Sequence, residues 1–484
     1  MIPVQLFKSS SDDMPFVINM ANSIIGVSIL AMPWSFREVG IVLGSMLLVF
    51  GGLLTKWSCR LLLAAAAGPP VNRSMVTGKR TSSFHLVVEP SDDTLTRSSY
   101  EYLALSTFGK WGKLLVELST IGYLLGSCVA FLVVMGDLLP EVAGKIISPV
   151  DSEAGYHSQS MRAFFLTVVA LCIALPLSLM QKVENLVSLS AFSIFFYVFL
   201  VAKVFVDAVL SSSWPDCMDK LILWRFRYVL PVLPIFTTGL SCQTQVFVMY
   251  ESLTDPSCKR MNAIISDAVN LCFVLYWSVG FFGYLAFCNT EIRGDVLLNF
   301  ENTWLITVIR CLYIVAAAIS FPLCIFPSRR SVETLLFHQE TATTEGGAIQ
   351  PNTSKYFRTI TIILVTCTLI ASIIIPNIET ILNLSGSTMG ALICFILPGS
   401  IALRSGLMYW PSISDMKTLG SYLQDHLTAL IILLVGAVSM GVCLWDVLLV
   451  LVYPPVDAAS NPLLIQEEPA PIIPAAVIPN SNIS

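Results

Sequence analysis

Long apolar runs separated by short polar breaks dominate the chain. Ile41 to Phe50, Phe164 to Leu175 and Leu427 to Val435 each continue into longer apolar stretches, and about 20 such residues, rising about 1.5 Å apiece, cross a hydrocarbon core about 30 Å thick. Reading runs and breaks in this way predicts eleven helical spans, at 14–35, 39–63, 113–138, 162–180, 185–209, 229–250, 262–287, 303–327, 357–376, 379–402 and 427–452. A polar connection rich in Ser, Thr, Arg and Lys follows the second span, over 68–112, and its composition predicts disorder. The stretch after the last span, 453–484, is Pro-rich and predicts an unstructured tail.

Two of the spans fail as continuous apolar helices. The centre of span 1, Asn22-Ser23-Ile24-Ile25-Gly26-Val27-Ser28, gathers an amide, two hydroxyls and a glycine where lipid would demand apolar side chains. Gly26 permits dihedrals that interrupt a helix, and backbone groups freed at this depth are tolerated only where they line a cavity or are buried in protein. Span 6 repeats the pattern with Thr237, Thr238, Gly239, Ser241, Cys242, Gln243 and Gln245. Close helix packing through small residues would explain one such segment. Two of them, with four spans between, instead divide spans 1 to 5 (14–210) and 6 to 10 (229–403) into halves of opposed orientation. That is the inverted-repeat pattern of a secondary transporter with its site at the midplane. The eleventh helix, 427–452, is then an addition.

The polar content of the breaks suits an amino-acid zwitterion. Amides at the start of a half-helix receive a carboxylate, and exposed carbonyls receive an ammonium group or a sodium ion. The candidate substrate contacts are Ser23, Gly26, Val27, Ser28, Thr238, Gly239, Ser241 and Gln243. Asn22 offers a carbonyl oxygen to sodium. Ser320 in span 8 offers a hydroxyl just before Pro322, whose ring removes a helical hydrogen bond; bonding of Ser320 to its own helix at i−4 is the competing reading.

Composition narrows the classes. Of the 484 residues 55% are hydrophobic and 12% charged, about half the charge of a soluble domain. A net charge of −5, with basic residues scattered through loops, gives nucleic acid nothing to bind; the lipid bilayer is the expected environment. With the segment 1–13 placed in the cytoplasm, eighteen of the 27 Lys and Arg fall in inner segments and seven in outer ones, Lys203 and Arg310 being inside spans near their outer ends, where they can snorkel. Residues 1–13 lack a basic stretch followed by a cleavage site, so span 1 is expected to act as its own insertion signal. Lys56 counts among the inner residues. Glu117, Asp137, Asp267 and Glu251 lie near predicted span ends and read as interface charges, with Glu251 the one that continues the polar face of span 6. Most of the 13 cysteines sit in apolar spans as small hydrophobes, while Cys217 and Cys288 fall near one membrane face and could pair. No Ser/His/Asp or Cys/His set and no phosphate-binding loop appears, which excludes an enzyme reading.

NSIIGVSILAMP at 22–33, PIFTTGLSCQTQVFVMYESL at 234–253 and GSTMGALICFILP at 386–398 resemble the first, sixth and tenth spans of the amino acid/auxin permease family. The likeness runs from about Asn19 to Arg404 and is strongest to the sodium-coupled neutral amino acid transporters, solute carrier family 38, in their member-10-like branch. It implies an all-α, LeuT-like five-plus-five inverted repeat with an eleventh helix, substrate between spans 1 and 6, and sodium between spans 1 and 8 at Asn22 and Ser320. It implies no organic cofactor, and a multi-pass location in the plasma membrane or an intracellular membrane of the Golgi or endolysosomal type. Many members carry Gly at the Ser28 position and His at the Gln243 position; a Gln does not change its charge, so proton coupling through that histidine is not expected here. The relatives continue into a very long tail that this sequence does not carry. The expected function is sodium-coupled transport of neutral, glutamine-like amino acids by alternating access. The alternative is an amino-acid sensor signalling through 68–112 with little net flux; a channel is disfavoured because no ring of carbonyls or charges appears.

Overall fold

Residues 10–67, 99–147, 159–180, 190–210, 221–253, 255–288, 290–337, 356–407 and 416–452 are described by a computed structural model. Most of the 68–112 connection, most of the segment 1–13, Cys217 and the whole tail 453–484 lie outside them. Among the described residues ten helices are long and apolar enough to cross a membrane, and one further apolar helix, Met14–Ile25, is shorter. The protein is a multi-pass membrane protein.

The short helix is the first half of span 1. Helices α1 (Met14–Ile25) and α2 (Met32–Val39) replace the single span expected at 14–35, and α3 (Ile41–Ala67) returns across the membrane. A helix not foreseen, α4 (Tyr100–Phe108), precedes α5 (Lys110–Ile147), which is longer than the 113–138 expected. Ser99 caps α4, its side chain accepting from the Tyr102 amide. Span 4 is α6 (Gln159–Val169), a π turn (Ala170–Ala174) and α7 (Leu175–Ser178); α8 (Ser190–Leu210) completes the first five. The second five begin with another split span, α9 (Val229–Thr238) and α10 (Gln243–Glu251), followed by α11 (Cys258–Ala286), α12 (Trp304–Phe337) and α13 (Phe357–Ile374). Span 10 is α14 (Ile378–Ser385), two π turns (Gly386–Gly390 and Leu392–Ile396) and α15 (Leu397–Leu407). The last helix, α16 (Met416–Val452), starts earlier than expected.

Both sets of five belong to one compact unit, Met1–Cys443. Of the second unit, Leu444–Ser484, only the end of α16 is described. Within the first unit α1 packs chiefly against α8 and α11, while α12 packs chiefly along α5. Gly51 sets the closest approach between α3 and α9, since a Cβ there would stand 2.5 Å from the Phe236 carbonyl oxygen and 3.2 Å from the Thr237 Cα.

Charges end up elsewhere than their sequence positions suggest. Arg310 does not snorkel to lipid: it is 2% exposed and donates to the Leu297 and Phe300 carbonyls of the loop before α12. Lys203 pairs with Asp207 one turn along α8. Lys56, expected in an inner segment, lies within α3 with its Nζ 2.6 Å from Asn270 Oδ1 of α11. Asp267 is fully buried nine residues beyond the start of α11 rather than at an interface. Glu117 is buried as well, 3.9 Å from Lys113, whereas Asp137, near the outer end of α5, pairs with Arg162 at 2.5 Å. At the inner end, Arg260 Nε holds Asp13 at 2.7 Å; burial would raise the Asp13 carboxyl, but Arg260 and Ser10 outweigh it and hold it below its ordinary range. Cys288 is disulfide-bonded, and a disulfide belongs on an oxidising side of a membrane, the outer face to which the charge bias assigns this end of α11.

The Gly51 contact gives a stability prediction. Gly51→Val should force α3 away from the α9 backbone and cost about 1–3 kcal/mol, read as a lower Tm of the detergent-purified protein. Gly441→Val, where nothing lies within 4 Å of an added Cβ, should leave the Tm unchanged.

Candidate functional site

The break in span 1 starts at Gly26, whose φ of 44° and ψ of −136° end α1. A Cβ at Gly26 would meet only the Phe131 ring, at 3.9 Å. The glycine is therefore required by its dihedrals, not by crowding. Beyond it the chain makes a loose turn in which the amides of Leu30, Ala31 and Met32 donate to the carbonyls of Val27, Ser28 and Ile29, and this turn runs into α2. Its own first four amides, those of Gly26, Val27, Ser28 and Ile29, find no acceptor among the described residues. They form the N-terminus of the outer half-helix, where a run of unpaired N–H groups and the helix dipole favour an anion.

The break in span 6 is shorter. Gly239 and Ser241 amides close onto the Ile235 and Thr238 carbonyls, and α10 restarts at Gln243. Gln243 is 1% exposed and uses both ends of its amide on backbone: Oε1 accepts from the Cys242 amide at 3.0 Å, and Nε2 donates to the Cys394 carbonyl at 3.2 Å. That carbonyl is available because span 10 passes through π turns here, which shift the helical hydrogen bonding out of its i→i−4 register. Cys394 O also accepts from Ser58 Oγ at 2.6 Å, and Ile393 O accepts from Tyr100 Oη at 2.7 Å.

Two phenols join the breaks to their surroundings. Tyr276 of α11, fully buried, places its hydroxyl 2.7 Å from the Ile25 carbonyl, 3.2 Å from that of Ile24 and 3.1 Å from that of Gly239. One side chain thus touches both broken spans. Tyr123 of α5 approaches from the other side, 2.7 Å from Ser241 Oγ and 3.2 Å from the Thr238 carbonyl it donates to.

The structure brings most of the sequence candidates to this place. Gly26 and Val27 form the first break, and Ser28 lies against the second, its Cβ 3.4 Å from where a Gly239 side chain would begin. Thr238 and Ser241 flank Gly239; the Thr238 hydroxyl donates to its own helix at Pro234 O, 2.7 Å. Ser23 is exposed on α1, and Asn22 beside it is buried. Ser320 takes the competing i−4 bond, Oγ to Ala316 O at 3.0 Å; a hydroxyl that donates backwards keeps its lone pairs. Neither Tyr276 nor Tyr123 stood out in the sequence, because a lone tyrosine in an apolar run has the pattern of a core residue.

Comparison with known proteins identifies the class. The family described as transmembrane amino acid transporter protein matches residues 14–449. Solute carrier family 38 member 10 of Rattus norvegicus is 36% identical over 81% of this chain and 33% of its own length. The putative sodium-coupled neutral amino acid transporter 10 of Xenopus laevis is 37% identical over 80% of this chain and 34% of its own. The amino acid transporter AVT6E of Arabidopsis thaliana is 28% identical over 81% and 75%. The chain spans about a third of the length of the first two relatives. Among solved structures, MhsT in complex with L-phenylalanine aligns with a TM-score of 0.55 at 13% identity, over 89% of this chain and 99% of that one; the shared feature is the LeuT-like fold. The matched family is one of transporters rather than enzymes, and on the breadth of that match the chain belongs to the transmembrane amino acid transporter family.

Proposed function

We propose that this protein is a secondary active transporter of neutral, glutamine-like amino acids, coupled to sodium and working by alternating access at the paired breaks. The observation that carries this reading is the run of four unpaired amides from Gly26 to Ile29 standing beside carbonyls of Ile24, Ile25 and Gly239. Donors in one place and acceptors in the other suit the two ends of a zwitterion. The Tyr276 hydroxyl has one proton to offer three carbonyls, so the other lone pairs can receive an ammonium group. The side-chain pocket falls to Val27, Ser28, Gly239 and Ser241, with Tyr123 behind; no fixed charge is among them, which favours a neutral side chain. Asn22 and the Ser320 oxygen are the proposed sodium ligands, hard oxygens of the kind that ion takes. Gln243 is a positioning residue that holds the start of α10. The names of the Xenopus and Arabidopsis relatives agree with amino acids as cargo, and the former with sodium.

Purified protein in proteoliposomes should concentrate a radiolabelled neutral amino acid from a panel that includes glutamine, and do so at least about tenfold less when sodium is replaced by choline. Asn22→Ala should raise the sodium concentration for half-maximal uptake while leaving the protein folded. Uptake that ignores sodium in both proteins would overturn the coupling, and saturable binding without flux would replace transport by sensing.

Tyr276→Phe removes the hydroxyl shared by both breaks and leaves the ring in place. It should reduce uptake by about 10- to 100-fold, the cost of about one to two strong buried hydrogen bonds, with normal expression and little change in Tm. Unchanged kinetics would mean the phenol is only packing.

A further inference from the structure

The loop before α12, over 290–303, lies on the face the charge bias assigns to the outside, and it is docked into the helix bundle. Its Val296 amide donates to the Leu30 carbonyl, inside the turn that follows the span 1 break, at 3.3 Å. Arg310 of α12 gathers the Leu297 and Phe300 carbonyls and the Asn302 side chain, and its guanidinium reaches Glu141 of α5 at 3.5 Å. Lys203 of α8 lies over the Phe300 ring at 5.1 Å. The same loop thus touches the broken span and three helices that surround it.

Docking buries a carboxyl group. Asp295 is 3% exposed; its Oδ1 accepts from the Leu297 amide at 2.9 Å, and its Oδ2 has no partner among the described residues. Its charged surroundings come from three helices. From α5 there is Asp137, already paired with Arg162. From α14 there is Glu379, packed against the backbone of Gly294. From α12 there are Arg310, committed to loop carbonyls, and the buried Tyr313 hydroxyl, itself without a described partner. The span 1 break contributes only backbone. A carboxylate in this position would be desolvated, half-bonded and next to two other carboxylates, whereas a carboxylic acid would not be penalised.

We infer that Asp295 is a proton-binding site on the outer face, and that proton uptake there stabilises the docking of loop 290–303 against the span 1 break. Burial, with Asp137 and Glu379 adding to it against the Leu297 amide and Arg310, pushes the docked carboxyl up to about 7 from its ordinary 3.8. The sign follows from linkage. The docked state binds the proton more tightly than a loop released into water, so docking is strongest at low outer pH, weakens as pH rises from about 4 through about 7, and changes little above that. Acid on the outer side would hold the span 1 break covered; that consequence for access rests on the transport reading, but the proton site itself does not.

Hydrogen exchange of the full-length detergent-solubilised chain tests it without any substrate. Protection factors over 290–303, taken against an unstructured peptide of the same sequence at each pH, should fall by about tenfold or more between pH 5.5 and pH 8, while α4 residues 100–108 stay level. Asp295→Asn, neutral at every pH, should abolish that fall. Flat protection in the unaltered chain, or the same fall in Asp295→Asn, would overturn the inference. Should Asp295→Asn not fold, the unaltered chain's own pH profile decides. Loss of transport with this profile intact would defeat the transport reading and leave the proton site standing.

Discussion

A polypeptide that leaves helical geometry in the middle of a membrane frees amides and carbonyls that lipid cannot satisfy, at several kcal/mol for each. Meeting that constraint organises this protein. Both breaks lie in the protein interior, and the groups around them serve as partners for backbone: Tyr276 for the ends of α1 and α9, Tyr123 for Thr238, Gln243 for Cys242 and Cys394. Span 10 adapts to the same demand. Its π turns bring Gly386 against the Thr238 side chain and leave carbonyls 393 and 394 open to Tyr100, Ser58 and Gln243. At the span 1 break, by contrast, the amides just after Ile25 are left without an acceptor among the described residues.

This distribution gives the site a polarity without fixed charges. Helix termini and carbonyl groups supply partial charges of both signs, which on the proposed function would receive a zwitterion while avoiding the desolvation cost of ionised side chains at the midplane. The ion pairs cluster towards the two ends instead, Arg260 with Asp13 on one side and Arg162 with Asp137 and Arg310 with Glu141 on the other. Lys56, hydrogen-bonded to Asn270 across α3 and α11, is a charge the structure keeps deeper than that.

The spans were legible in the sequence because lipid imposes length and hydropathy on each helix separately. The breaks were legible for the converse reason: Asn22, Gly26, Ser28 and the run from Thr237 to Gln243 violate that rule locally. What could not be read were properties that arise between helices. Tyr276 and Tyr123 look like core aromatics until their hydroxyls are seen to meet carbonyls from other spans. The π turns leave no signature beyond small residues that also suit packing. Span 1 was expected as one helix from 14 to 35, yet the turn from Gly26 to Ala31 splits it so that neither piece could cross alone. Arg310 and Asp267 were misplaced because sequence gives distance from a span end, while burial depends on what packs against it. Asp295, in a short polar loop, carried no hint of being enclosed.

Sharing one phenol between two breaks has a further effect. Tyr276 can donate to one carbonyl at a time, and the three within reach belong to both α1 and α9. A ligand cation that takes the α1 carbonyls leaves Gly239 as the remaining acceptor for the phenol; one that takes Gly239 returns the phenol to α1. On the proposed function, occupancy of either break would therefore alter the bonding of the other, with no moving part between them but a proton on a fixed oxygen. Gly26, free to adopt dihedrals closed to other residues, is then the joint at which α1 can respond, and the Leu30 carbonyl, held by Val296, carries that response to the outer loop. On the proposed function, binding at the midplane and closure at the outer face are coupled through the unwound backbone from Gly26 to Leu30 and its hydrogen bond to Val296.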